Sequence, residues 1–461
     1  MRALAMLSLS TVLLSGCSLT TASGLTECET SADCGDNQVC ASNFCLPQPA
    51  GCGERYGDLS ADAVQLGAAL PLSLSATNPG LGKDESEVQG LNAILLALGE
   101  LNERGVAGKK ITLHLCDTAF DPVRTEQQTQ WLVSEKKIAA LLTAGSSQTL
   151  AAANVTLAQG VLTMSASGTS PELTTREDNS KLGLLWRTAP SDAIQGNVIA
   201  DLLLNDAEFT TVQRVGILYL DDPYGQGLFN VITARLGTRK NVQAVPYTRR
   251  TENIATPLSQ IDTFDPDLTV VVGFEDDVTN IIKRAANSTN LKLGTGHRWF
   301  FTDSAKDAAL LTDATVRGMV DGAYGTAPAQ GAGQAFSSFR SRFISKYNGV
   351  DPSNFSFTSH SYDAMYLFGL AVAYSQGTSN AVTGAKMAEG LTKVSSGTSI
   401  QLTSSNITQA ANELAAGRSI NVEGASGSLQ FDAAGEAPSP IELWQVEGTT
   451  FQTVRTVPPP P

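Results

Sequence analysis

Two short hydroxyl-rich loops carry the side chains most suited to chemistry. The runs Ile138 to Thr143 and Gly160 to Ser165 are strand-like, and each breaks into Ser, Thr and Gly before a helix-like stretch. The two breaks are Ala144-Gly145-Ser146-Ser147-Gln148-Thr149 and Ser167-Gly168-Thr169-Ser170-Pro171-Glu172-Leu173-Thr174. Small side chains let backbone N–H groups and Oγ atoms converge at helix N-termini, where unpaired donors and the helix dipole favour an anion. Such a pair can grip a carboxylate without a catalytic group. A single loop reads more simply as a helix cap, and Ser170-Pro171-Glu172 fits an N-cap, a first-turn Pro and a favourable acid. Ser146 as a nucleophile would need a base, and the chain has only His114, His297 and His360. His114 lies in a strand, His297 precedes one and His360 begins a helix, and no G-x-S-x-G or H-E-x-x-H run occurs. The chain is read as a binding protein and not an enzyme, with no cofactor and no metal.

The elements that must position these loops alternate. From Ala63 onward, strands such as Val64 to Leu70 and Ile111 to Cys116 are separated by helical stretches such as Ser86 to Arg104 and Pro122 to Lys136. A second set runs from Arg214 to Tyr219 through Val242 to Tyr247 and Leu268 to Val272 to Arg298 to Phe301. Strands alternating with helices imply parallel βα units. The fold class is α/β: two doubly wound parallel-sheet lobes joined by a hinge the chain crosses repeatedly, preceded by a small disulfide-rich module. Lobe 1 is assigned residues 62–188 and 326–427, lobe 2 residues 189–325 and 428–454, and a Pro-rich tail 455–461. Two late strands are expected, Ser428 to Phe431 and Ile441 to Val446. Open parallel sheets bind ligands beyond the carboxyl ends of their strands, so two facing lobes make a cleft that can close.

At 461 residues the chain exceeds what one core usually serves. Its net charge of −14 argues against nucleic acid as a partner. Arg2 and an apolar run from Ala3 to Leu14 read as an export signal, too short to span a membrane. Leu14-Ser15-Gly16-Cys17 looks like a bacterial lipobox, which implies removal of residues 1–16 and a lipid on Cys17, at the head of a tether over 17–27. A plain secretory signal is the alternative. Ser18 in place of Asp suggests the outer membrane under the sorting rule of well-studied Gram-negative bacteria, and the inner membrane stays open. Six cysteines then remain, an even number that suits disulfides outside the cytoplasm. Residues 28–52 hold five of them with almost no apolar core, so sulfur must hold this module. A zinc site lacks any Cys-x-x-Cys pair or nearby His. Spacing does not choose among fifteen connectivities; the set entertained is Cys28 with Cys40, Cys34 with Cys45, and Cys52 with Cys116.

Several stretches, in this order, resemble one family: Gly105-Val106-Ala107-Gly108-Lys109-Lys110-Ile111, Asp121-Pro122, Gly145-Ser146-Ser147, the Ser165 to Thr174 loop, Arg187-Thr188, Asp222-Pro223-Tyr224-Gly225-Gln226-Gly227 and Tyr362-Asp363-Ala364. Together they are similar to the leucine/isoleucine/valine-type periplasmic binding proteins of ABC transporters, class I. The likeness favours the grip over the cap. It implies a ligand carboxylate held by Ser146 and Ser147, by backbone groups near Ser167, and by the Thr169 hydroxyl. It implies Tyr224 covering the ligand from the second lobe and Asp303 taking its ammonium. An aromatic follows a later strand in the family; here Phe274 or Glu275 stands there, a departure, since Phe cannot donate a hydrogen bond.

The implied ligand is a small amino acid, aliphatic or branched-chain, or an amide-like molecule. The implied partner is an inner-membrane ABC permease, served by a monomer anchored by lipid in the cell envelope and facing the periplasm. The alternative is a ligand-sensing or envelope-interaction lipoprotein. Glu275-Asp276-Asp277 admits a cationic ligand or simply an acid-rich helix start. Trp299 is left between a cleft and a core role.

Overall fold

The computed structural model describes residues 25–30, 33–35, 38–41, 43–176, 178–179, 183–250 and 253–459. Cys17, the leader and residues 17–24 of the tether lie outside the described residues.

The described residues from Leu25 to Ala50 separate from the rest as a compact unit. Its strands β1 (Gln38–Ala41) and β2 (Phe44–Pro47) form an antiparallel hairpin. Disulfides join Cys28 to Cys40 and Cys34 to Cys45. Among the described side chains of this unit only Cys28 and Cys45 are buried, so the bridges stand in for a core. The sulfurs of Cys28, Cys34 and Cys45 cluster, but all are spent in these bridges.

The second unit begins at Gly51. Its first sheet contains β3 (Cys52–Gly57), β4 (Val64–Leu70), β5 (Ile111–Asp117), β6 (Ala140–Thr143), β7 (Leu162–Ser165) and β8 (Leu185–Arg187). Their order is β3-β5-β4-β6-β7-β8, parallel except for the edge strand β3. Its second sheet contains β9 (Arg214–Leu220), β10 (Asn241–Tyr247), β11 (Leu268–Val272), β12 (Arg298–Phe301) and β13 (Tyr324–Pro328). After a small parallel pair, β14 (Thr398–Gln401) and β15 (Ile420–Glu423), the chain closes with β16 (Ile441–Glu447) and β17 (Thr450–Val457). The second sheet runs β10-β9-β11-β12-β13-β16-β17, with the last two strands antiparallel. Every residue of β6, β7 and β11 is buried, as strands covered on both faces require.

In each sheet the first parallel strand, β4 or β9, sits between the second and the third. That arrangement opens a crevice at the carboxyl ends of neighbouring strands whose connections run in opposite directions. After β13 the chain returns to the first sheet's core with Phe339, Tyr362, Leu391 and Val422, then rejoins the second sheet at β16. Tyr362 and Asp363 belong to a helix, Thr358–Ser379, buried along most of its length. Asp363 anchors the return: its carboxylate accepts from Ala425 N at 2.8 Å and Ser426 N at 2.7 Å.

Two sequence expectations change here. Only Ser428 of the 428–431 stretch pairs, in a bridge to Glu423, because a tight turn from Gly424 to Gly427 uses up the register. Strand β13, Tyr-Gly-Thr-Ala-Pro, was unread because Gly and Pro disguise it. A side chain at Gly325 would lie 2.1 Å from the Trp444 ring on the adjacent strand, so the ring requires the glycine.

The third disulfide, Cys52 to Cys116, also pairs as entertained, joining register partners on β3 and β5. It spans a sequence separation of 64. Replacing both cysteines by Ser should lower unfolding stability by about 4 kcal/mol at most on loop-closure grounds, measurable as a lower urea midpoint with a steeper slope, since the unfolded chain expands.

Candidate ligand-binding cleft

Loops after the strand ends of both sheets converge on one cavity of about 80 Å³. Gly145 and Ser146 follow β6, Ser167 follows β7, Tyr224 follows β9, Phe274 and Glu275 follow β11, and Asp303 follows β12. These are the carboxyl ends where an open parallel sheet presents its donors.

On the first lobe, Gly145 takes a φ of 75° and caps the helix Ser146–Thr156, leaving Ser146 at its first position. Ser146 Oγ accepts from Thr169 N at 3.2 Å and Ser170 N at 3.1 Å. As an acceptor it keeps its own proton to donate. Ser167 Oγ accepts from Gly145 N at 2.9 Å, so the two loops are laced together. Arg187 holds the second loop from behind: its guanidinium donates to Gly168 O at 3.3 Å and Ser170 O at 3.0 Å and pairs with Glu436. Ser170 itself caps the next helix through Glu172 N at 3.2 Å.

On the second lobe, Tyr224 OH donates to Asp303 Oδ1 at 2.6 Å and lies 2.8 Å from Thr302 Oγ1. Asp303 is 1% exposed, and its Oδ2 has no hydrogen-bond partner. Burial pushes its carboxyl up to about 6 against the hydrogen bonds of Tyr224 and Gln195. Phe274 caps the helix Glu275–Ala285 and lines the cavity with Glu275.

Six of the eight residues read from the sequence therefore line the cavity. Ser147 and Thr169 do not. Ser147, about 100° further around its helix, reaches across the cleft and donates to Asp222 Oδ2 at 3.1 Å. Thr169 is buried, and its carbonyl accepts from Asp192 N at 2.8 Å. None of the three histidines lines the cavity: His114 meets Gln65 at 2.7 Å, His297 meets Thr269 at 2.8 Å and His360 is fully buried. Trp299 is buried in the second lobe's core.

Residues 89–449 match the family model described as the receptor family ligand binding region. The chain belongs to that family. Across 395 residues, covering 85% of this chain and 88% of the relative, it is 27% identical to the chemotactic signal transduction system substrate-binding protein BasB of Halobacterium salinarum. Its fold superposes on the leucine binding protein LivK of Thermotoga maritima with a TM-score of 0.70 at 19% identity, over 86% of this chain and 99% of that one. The branched-chain amino acid substrate binding protein LivJ of Streptococcus pneumoniae, in complex with isoleucine, gives 0.67 at 18% identity, over 86% and 100%. This member of the ligand binding region family thus has the class I periplasmic binding protein fold.

The family member's cleft holds more than the sequence disclosed. Asp84, Glu85, Glu87 and Asp307 also line it. Asp84 and Asp307 are helix caps, accepting from Glu87 N at 3.1 Å and Ala309 N at 2.8 Å, so their sequence signal is that of an ordinary cap. Arg249 spans the lobes. Its guanidinium lies 3.6 Å over the Phe120 ring and 3.8 Å over the Phe274 ring, 3.1 Å from Asp276 and 3.6 Å from Asp84. Arg249 and Arg250 hold Asp276 down despite its burial, whereas burial pushes Asp277 up to about 7, Asp307 to about 7 and Glu87 to about 8.

Two outcomes follow from this electrostatics. Because folding raises the Asp307 carboxyl above its ordinary value, the stability it supplies is complete below about pH 4 and is lost as pH rises through 7. Asp307→Asn should accordingly gain on the order of 2 kcal/mol over the parent at pH 8 and nothing near pH 4; coincident denaturation curves at both pH values would contradict this. Arg249→Ala removes cross-lobe contacts each worth about 1 kcal/mol or more, and small-angle scattering of the ligand-free protein should show a larger radius of gyration.

Proposed function

We propose that this protein is a cell-envelope solute receptor that closes its two lobes on a small amino-acid ligand. One observation carries the reading. A hydroxyl grip on one lobe, centred on Ser146, faces a buried carboxylate on the other, Asp303, whose Oδ2 has no partner. An α-carboxylate suits the first and an α-ammonium the second, since a buried charge is tolerable only when paired. The cavity's 80 Å³ is several times the ~10–15 Å³ that one water occupies, room for a molecule of amino-acid size. The leucine- and isoleucine-binding proteins of the same fold support the amino-acid class.

Around that core the sequence supports a lipid on Cys17, a location in the envelope facing the periplasm, action as a monomer and delivery to an inner-membrane ABC permease. A specific observation favours a second reading, sensing in place of import: the relative from Halobacterium salinarum is a substrate-binding protein of chemotactic signal transduction. The disulfide-bonded unit before Ala50 is a further element that transport alone does not require. In a deletion strain, lost uptake of the bound ligand supports import, and unchanged uptake with lost taxis supports sensing.

The site itself is tested with a thermal-shift panel of amino acids. A ligand at 100 times Kd should add about 2.7 kcal/mol of stability. Ser146→Ala should weaken binding about tenfold, or 1.4 kcal/mol, with the fold intact by circular dichroism. A panel in which no amino acid shifts the transition would remove the reading.

A further inference from the structure

The charge around the cleft bears on the ligand's side chain, given the amino-acid reading above. Six carboxyl groups line the cavity, Asp84, Glu85, Glu87, Glu275, Asp303 and Asp307, against the single exposed lysine Lys83. Arg249 answers Asp84 and bears on Glu87, and Lys283 bears on Glu275. The nearest hydrogen-bond partners of the others are neutral. Glu85 takes Gln89 Nε2 at 2.6 Å, Glu275 takes Thr279 Oγ1 at 2.7 Å, Asp307 takes a backbone N–H, and Glu87 takes the Ser167 hydroxyl. Asp303 takes Tyr224 and Gln195 on Oδ1 while its buried Oδ2 takes nothing.

An α-ammonium answers one of these charges, at Asp303. An aliphatic side chain would leave Glu275 and Asp307 facing carbon, at the cost of taking acidic groups out of water without a partner. The apolar part of the wall is made of Leu74, Ala309 and the rings of Phe274 and Phe357. That suits an unbranched methylene stem capped by a charge, which buries its carbons and keeps its head among polar groups.

We propose that the ligand is an α-amino acid bearing a second, side-chain cation, of the ornithine, lysine or arginine type, whose stem lies along Leu74, Phe274 and Phe357 and whose cationic head is taken by Glu275 and Asp307. Glu85 and Asp84 bear on the same end, since both add to the negative potential at Asp307. Burial and mutual repulsion hold Asp307 and Glu275 above the ordinary carboxylate range, and an arriving cation relieves both.

The test is calorimetric titration of the full chain with L-lysine, L-ornithine and L-arginine against L-norleucine and L-leucine, with 1,5-diaminopentane as a probe lacking a carboxylate. Norleucine matches the lysine stem without its charge, so lysine binding at least tenfold tighter than norleucine supports the proposal. In Glu275→Gln/Asp307→Asn the lysine-over-norleucine preference should vanish. Glu275→Gln alone, expected to reduce the preference, serves if the double variant does not fold. Norleucine or leucine binding as tightly as lysine overturns the cationic class and leaves the amino-acid site standing. Diaminopentane matching lysine overturns the carboxylate grip and the α-amino-acid class together. Binding of none of the amino acids removes both this inference and the reading on which it rests.

Discussion

A carboxylate taken out of water demands a partner, and this chain gathers more carboxylates around one cleft than it supplies cations. That imbalance governs the rest of the site. On one flank Arg249 and Arg250 meet the demand at Asp276. On the other, Asp303, Asp307 and Glu275 rely on hydroxyls and N–H groups, which stabilise a charge less than a counterion does. A protein selected for stability alone would have placed amides there. Under the proposed reading, those acids act on a cation that arrives from outside the fold.

The same electrostatics joins the lobes. Arg249 approaches Phe120 on the first lobe and Phe274 on the second, and Ser147 reaches Asp222 across the same gap. Phe120 gets there through consecutive left-handed residues, Ala119 at φ 51° and Phe120 at φ 59°, a conformation that costs non-glycine residues about 1 kcal/mol or more each. The tertiary contacts of the ring offset that local strain. Cross-lobe contact is therefore wired partly through residues outside the cavity, Arg249, Phe120, Ser147 and Asp222, and partly through Phe274 in its wall.

Much of the site was legible in the chain. Ser146 and Ser167 sit in two adjacent hydroxyl-rich loops at successive strand ends, and the family resemblance, not composition, pointed to Tyr224 and Asp303. The cysteine pairing was entertained correctly, yet nothing in the spacing imposed it. Asp84 and Asp307 stayed hidden because a capping acid and a cleft acid look alike in one dimension; only burial and the facing lobe separate them. Arg249 was hidden for a related reason, since its partners lie far away in sequence, at Asp84, Phe120 and Phe274. Strand β13 was masked by Gly325, which a long-range ring contact, not local propensity, requires.

The bridge between Cys52 and Cys116 has a mechanical meaning. It binds the first residue of the edge strand β3 to its neighbour β5, the strand beside β4 at the centre of the sheet's turning point. A pull on the chain upstream of Gly51 passes through sulfur into β5 and leaves the backbone ladder of β3 unloaded. The edge cannot be peeled open from that end. A load along the N-terminal segment thus enters the first lobe through this covalent link.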